Sequence, residues 1–123
     1  MNAYFYLIMP YTLDPEYQQK RDILKNAAEI KGLFTHFPVD NIQSHSSSII
    51  SEVKWALFVF ADLSYERPSC YYELGVAQGL NKKTFLVALS GTTIHQADGK
   101  IHFYSNLEEY KQLVMQALNS YSP

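Results

Sequence analysis

A chain of 123 residues, 47% hydrophobic and 18% charged, has enough apolar material for one folded domain over 1–123 and too little charge for a disordered one. A net charge of -2 and a pI near 6.0 leave no basic footprint for duplex nucleic acid, and a single cysteine, Cys70, excludes an internal disulfide or a multi-cysteine metal site. No apolar run approaches the roughly 18 residues of a membrane helix and no charged-then-apolar leader opens the chain, so the expected setting is cytoplasmic.

Tyr4–Met9 is a short apolar run without helical period, as in a buried strand, and Pro10 ends it. Asp14-Pro15-Glu16 predicts a helix start, with aspartate as N-cap and proline at the first helical position. Tyr17, Leu24, Ala27 and Ala28 then fall on one stripe, and Gly32 closes a helix over roughly 15–31. Leu33–Phe37 predicts a second strand and Val39–His45 a loop. Ser46-Ser47-Ser48 opens a short second helix; three hydroxyls there either cap the helix or hold a phosphate or carboxylate.

Trp55–Ala61 predicts a third strand, and Thr84–Leu89 a fourth after the basic turn Asn81-Lys82-Lys83. Asp98-Gly99 between the β-prone runs Thr92–Ile94 and Lys100–Tyr104 signals a hairpin, one arm of which adds an edge strand. A capping box at Ser105-Asn106-Leu107-Glu108 starts a last helix with Leu107, Tyr110, Val114, Ala117 and Leu118 inward; its tail frays from Ser120. The order predicts an α/β, doubly wound, mostly parallel sheet of flavodoxin type with a C-terminal hairpin and helix.

The stretch Phe60–Leu80 organises the rest. A strand stops at Asp62, a polar loop runs to Pro68, and a helix follows with Glu73 in its first turn and Ala77 and Leu80 on the face of that glutamate. A carboxylate on an apolar face is costly unless it is paired or faces a cleft. Glu73 is therefore either a glutamate favoured by the helix dipole or a functional acid. Gly75 and Gly79 form a second stripe, open to close approach by sheet or ligand. Cys70, at the start of this helix, is either a thiol of lowered pKa or a packed structural one. His95 and His102 either face each other across the hairpin or lie on the surface, and the histidines form no metal-ligand spacing. The 10 tyrosines suit a base-stacking pocket, an interface or simply the core.

The run Ala61-Asp62-Leu63-Ser64, the proline after it, Tyr71-Tyr72-Glu73-Leu74-Gly75-x-Ala77 and Lys82-Lys83 before a new apolar strand resemble the nucleoside 2-deoxyribosyltransferase-like family. That family belongs to a wider group that includes the TIR-like NAD-cleaving domains. Phe5–Pro10 is similar to the family's first strand, and the resemblance covers roughly Ala3 to Leu89. It implies cleavage of an N-glycosidic bond, by hydrolysis or base transfer. Glu73 would be the nucleophile or the carboxylate that stabilises the oxocarbenium ion. Asp62 would contact ribose or base, or assist proton transfer, and Tyr6 would hydrogen-bond and orient Glu73. Met9, Pro10, Tyr11, Ser46, Ser48, Ser64, Arg67, Ser69 and Tyr72 would bind substrate.

The same resemblance implies no cofactor, with a nucleoside, a nucleotide or NAD as substrate, and a homo-oligomer, with anti-phage defence and an effector partner on the TIR-like branch. Against the family's pattern, Arg67-Pro68-Ser69 stands where Asn-Pro-Asn is expected and Trp55 where an aspartate is expected. Arg67 either grips a phosphate or is solvated. Two further classes remain open, a non-catalytic nucleotide sensor and a self-assembly module.

Overall fold

The computed structural model describes residues 3–38 and 46–121, the side chains of 46–48 excepted. The loop expected over Val39–His45 lies outside these residues. Strands β1 (Tyr4–Ile8), β2 (Phe34–His36), β3 (Val59–Asp62), β4 (Thr84–Leu89) and β5 (Ile101–Tyr104) form one sheet, parallel throughout, in the order β2-β1-β3-β4-β5. Helices α1 (Tyr17–Ile30) and α4 (Leu107–Tyr121) cover one face, and α2 (Ser46–Lys54) and α3 (Pro68–Gly79) the other. This is the doubly wound order of flavodoxin-type sheets.

Because successive strand residues point to opposite faces, the apolar runs split into two cores. Phe5, Leu7, Phe60, Phe85 and Val87 meet Leu24 and Ala28 of α1 and Tyr110, Val114 and Leu118 of α4. Tyr6, Ile8, Val59, Ala61, Leu86 and Ala88 meet Val53 of α2 and Cys70, Leu74 and Ala77 of α3. Aromatics weight the first core: Phe60 stacks on Phe85 with centroids 5.9 Å apart, and Tyr110 meets Phe60 edge-on.

Several boundaries differ from the sequence reading, each for a local reason. Helix α1 begins at Tyr17, because the Asp14 carboxylate accepts from the Glu16 backbone N–H (2.8 Å) and holds Pro15-Glu16 in a turn. Strand β3 begins at Val59 rather than Trp55; Trp55 is exposed and belongs to the turn that closes α2, its N–H bonded to the Ser51 carbonyl (3.2 Å). Asn106, not Ser105, caps α4: its side chain accepts from the Glu109 N–H (2.9 Å), and the Glu109 carboxylate accepts from the Ser105 N–H (2.7 Å). The helix continues through Tyr121, whose ring packs on Phe58 at 5.0 Å instead of fraying.

The expected hairpin does not form. Lys100–Tyr104 does supply the edge strand, but β5 runs parallel to β4. After a turn at Gly91 (φ 90°) the chain recrosses the flank of α3, where the His95 N–H donates to Tyr71 Oη (3.0 Å) and Gln78 Nε2 donates to the Asp98 carbonyl (2.7 Å). Gly99 (φ 109°) then turns it into β5, so Asp98-Gly99 serves as the entry to a parallel strand. His102 stacks on Phe85 (4.4 Å) and does not face His95.

Candidate active site

A cleft of about 380 Å³ opens at the carboxyl ends of β1 and β3, where the winding of the chain reverses. Leu7, Met9, Pro10, Tyr11 and Thr12 at the end of β1 form one wall, with Tyr17 of α1 and Phe37 and Pro38 after β2. Ile49 and Glu52 of α2 and Arg67, Ser69, Cys70 and Glu73 at the start of α3 form the other. The mouth carries an aromatic pair, Tyr11 edge-on to Tyr17 at 6.2 Å.

Glu73 reaches this cleft from the second turn of α3, one turn deeper than the sequence implied, because the helix begins at Pro68. Its carboxylate makes no hydrogen bond or ion pair with the described residues. Burial, and after it the charge of Glu52, pushes its pKa up to about 7. Gly75 and Gly79, on another side of α3, have nothing within 4 Å of a built Cβ, so that stripe faces open space.

Glu52 is the cleft residue that sequence reading missed. It sits three positions after Ile49 and beside Val53, on the flank of the inward face of α2, and that spacing was the available signal. What aims it is a tertiary contact. His36 pairs in register with Tyr6, so both rings stand on the same sheet face and stack at 5.3 Å. His36 Nε2 lies 2.7 Å from Glu52 Oε2, and Tyr4 Oη donates to the Glu52 backbone carbonyl.

Tyr6 lies fully buried on the same face, but its hydroxyl has no partner among the described residues; the expected hydrogen bond to Glu73 is not made. Its pKa is raised by burial, then by the charges of Glu73 and Glu52, which places the hydroxyl within the field of both carboxylates.

Asp62 is the clearest departure. Period-two alternation sends Phe60 and Asp62 to the α1/α4 face, away from Glu73. There its carboxylate is fully buried, accepting from Ser64 N (3.0 Å), Ser64 Oγ (2.6 Å) and Tyr104 Oη (2.7 Å). Lys20 Nζ donates in turn to Tyr104 Oη (2.7 Å) and to Asp14. Asp62 and Glu73 therefore do not flank one sugar. Burial raises the Asp62 pKa, with Ser64, Lys20 and Tyr104 opposing the rise.

Of the remaining expected contacts, Met9, Pro10, Tyr11, Arg67 and Ser69 line the cleft. Ser64 is buried, giving its Oγ to Asp62 and accepting from the Leu89 N–H (2.7 Å). Tyr72 is exposed outside the cleft. The side chains of Ser46 and Ser48 lie outside the described residues. Arg67 faces the cleft with no carboxylate paired to it among the described residues. Cys70 is a packed thiol, pushed up to about 12 mainly by burial and unsuited to nucleophilic work. No three histidine, cysteine or carboxylate side chains among the described residues converge as a metal site, and no described helix is long and apolar enough to cross a membrane.

A scan of the sequence against family models and a search of curated proteins each return no match. Solved structures share the fold. A 2-deoxyribosyltransferase from Leishmania mexicana superposes with a TM-score of 0.63 at 19% identity, over 91% of this chain and 97% of that one. A CMP N-glycosidase from Clostridium botulinum gives 0.68 at 16% identity, over 89% and 96%. A 2-deoxyribosyltransferase from Bacillus psychrosaccharolyticus gives 0.66 at 17%, over 89% and 90%.

Proposed function

We propose that the protein cleaves the N-glycosidic bond of a nucleotide, by hydrolysis or base transfer, with Glu73 as the carboxylate that meets C1′. The observation that carries this reading is Glu73 itself, a carboxylate unpaired among the described residues, its pKa pushed up to about 7, in a cleft at the winding reversal of the sheet. A group of that pKa is held ready to ionise at neutral pH and has no structural partner among the described residues that would explain it. Breaking a C1′–N bond develops positive charge on the sugar, which a carboxylate beneath C1′ stabilises or captures. The fold shared with two deoxyribosyltransferases and a CMP N-glycosidase supports the same reading.

Arg67 favours a 5′-monophosphate over a free nucleoside: it is the cleft's unpaired cation among the described residues, and a guanidinium matches a phosphate in charge and fork geometry. Tyr11 and Tyr17 supply aromatic surface for the base. The test incubates the protein with nucleosides, their 5′-monophosphates and NAD, and reads free base and new conjugates by mass spectrometry. Base release from a monophosphate, lost in Glu73→Gln, is the expected result. Turnover of NAD alone would move the substrate to a dinucleotide. No turnover of any of them would sink the reading and leave a nucleotide sensor.

A further inference from the structure

The mechanism above needs a second acid, and the residue that sequence reading assigned to it, Asp62, is sealed on the other side of the sheet. Among the residues lining the cleft the carboxylates are Glu73 and Glu52. Glu52 is half-buried and held: His36 Nε2 contacts Oε2 at 2.7 Å, while Oε1 has no partner among the described residues. His36 is itself fixed by Tyr6 on one side (5.3 Å) and Tyr4 on the other (5.7 Å). The hydroxyl of Tyr6, on the same face of the sheet, is buried without a partner among the described residues.

We propose that Glu52 is the acid–base residue of this cleft and that His36 is its positioning residue, a role that rests on the N-glycosidic reading above. Both carboxylates line one cleft, and the charge of Glu52 is, after burial, a cause of the raised pKa of Glu73. The reactive arrangement has Glu73 ionised and the proton on Glu52 Oε1, with Oε2 accepting from His36 Nε2–H. As the C1′–N bond breaks, its electron pair stays on the base and the Glu52 proton moves to the base. A Glu73 oxygen meanwhile bonds to C1′ or stands against its charge. A water or acceptor hydroxyl then attacks C1′, gives its proton back to Glu52, and Glu73 leaves as carboxylate. Atoms and charge balance, and no electron donor or acceptor is needed.

The test compares two leaving groups on one sugar 5′-monophosphate, an ordinary base and 7-methylguanine. The second departs from a cation and needs no proton. In a single turnover read as base release, the step before water or acceptor attacks, Glu52→Gln should lose roughly 10²-fold or more in rate on the ordinary base and at least about tenfold less than that on 7-methylguanine. Glu73→Gln should fail on both. His36→Gln should show the selectivity of Glu52→Gln to a smaller degree, and Glu52→Asp, which keeps the acid, should recover part of the loss. Equal losses of Glu52→Gln on both substrates, or no loss on either, overturn the assignment while leaving Glu73 in place. A wild-type protein that cleaves neither substrate overturns the N-glycosidic reading, and this assignment with it, before any variant is made.

Discussion

At Glu73 the requirements of stability and of activity point in opposite directions. A carboxyl whose folded pKa is raised to about 7, above an unfolded value near 4.5, binds its proton more tightly in the folded state. Its stabilising contribution is complete below about pH 4.5 and is lost as pH rises through about 7. The chemistry needs Glu73 ionised while Glu52 still carries a proton, so kcat/KM on an ordinary base should rise as Glu73 ionises and fall once the cleft has lost both protons. Glu73→Gln removes the charge in either state. It should raise Tm by several degrees near pH 8, change it little near pH 5, and cost about 10³-fold in kcat. Melting curves and turnover at the two pH values check both halves, and an equal Tm gain at each pH would refute the buried-charge account. Two tyrosines make a similar contrast. Tyr6 and Tyr110 each bury a hydroxyl with no partner among the described residues. Either change to Phe should leave stability unchanged or raise it by about 1 kcal/mol, since a lone buried hydroxyl has lost its water without replacement. Only Tyr6→Phe should also lower kcat/KM, because only Tyr6 stands beside the two cleft acids.

At the scale of elements, the buried chain Asp14–Lys20–Tyr104–Asp62–Ser64 joins the loop after β1, helix α1, the end of β5 and the end of β3. Lys20 is fully buried, with its ammonium over the rings of Tyr104 (4.7 Å) and Tyr110 (5.4 Å). Such a network fixes the geometry of the loops it ties, and two of these loops lead into cleft walls at Thr12, Tyr17 and Arg67. Lys20→Met should therefore destabilise by about 3 kcal/mol, read by urea unfolding, since it leaves buried carboxylates without their cation. A second element is strained. Tyr65 (φ 66°) and Glu66 (φ 51°) are consecutive left-handed residues in the 3-10 turn Ser64–Glu66 that delivers Arg67 to the cleft. His95 braces this turn, its Nε2 2.7 Å from Glu66 Oε1. Tyr65→Gly should stabilise by roughly 1 kcal/mol by relieving a conformation that costs an L-residue that much. A lower Tm in this variant would show that ring contacts of Tyr65 outweigh the strain.

At the scale of the whole molecule, the sheet separates two environments that the sequence runs together. The α1/α4 layer holds the aromatic core and the closed polar network; the α2/α3 layer holds Tyr6, His36, Glu52 and Glu73 and opens to the cleft. Phe60→Ala, in the first layer and stacked between Phe85 and Tyr110, should cost about 3–5 kcal/mol without altering the acids of the second. Retained pH dependence in whatever fraction stays folded would check that separation.

What the sequence by itself determined is the alternation of apolar strands and amphipathic helices, hence the doubly wound order and the place of Glu73 at the carboxyl edge of the sheet. These follow from local periodicity, which every strand and helix writes into its own residues. Met9, Pro10, Tyr11 and Arg67 came with them, because strand ends and the loops after them fall at that edge. Only the tertiary structure decided the rest. The parity of β3 tells that Phe60 and Asp62 share a face, but not which face α3 will cover, so Asp62 could be placed beside Glu73 on paper and lie across the sheet in fact. Glu52 is brought to the cleft by His36, sixteen residues away in sequence, and Lys20 to Asp62 by way of Tyr104, a residue of the far edge strand. Asp98-Gly99 carries a local hairpin signal, yet the flank of α3 returns the chain to pair parallel. Which acids meet is set by contacts between elements distant in the chain, and local pattern holds no record of those.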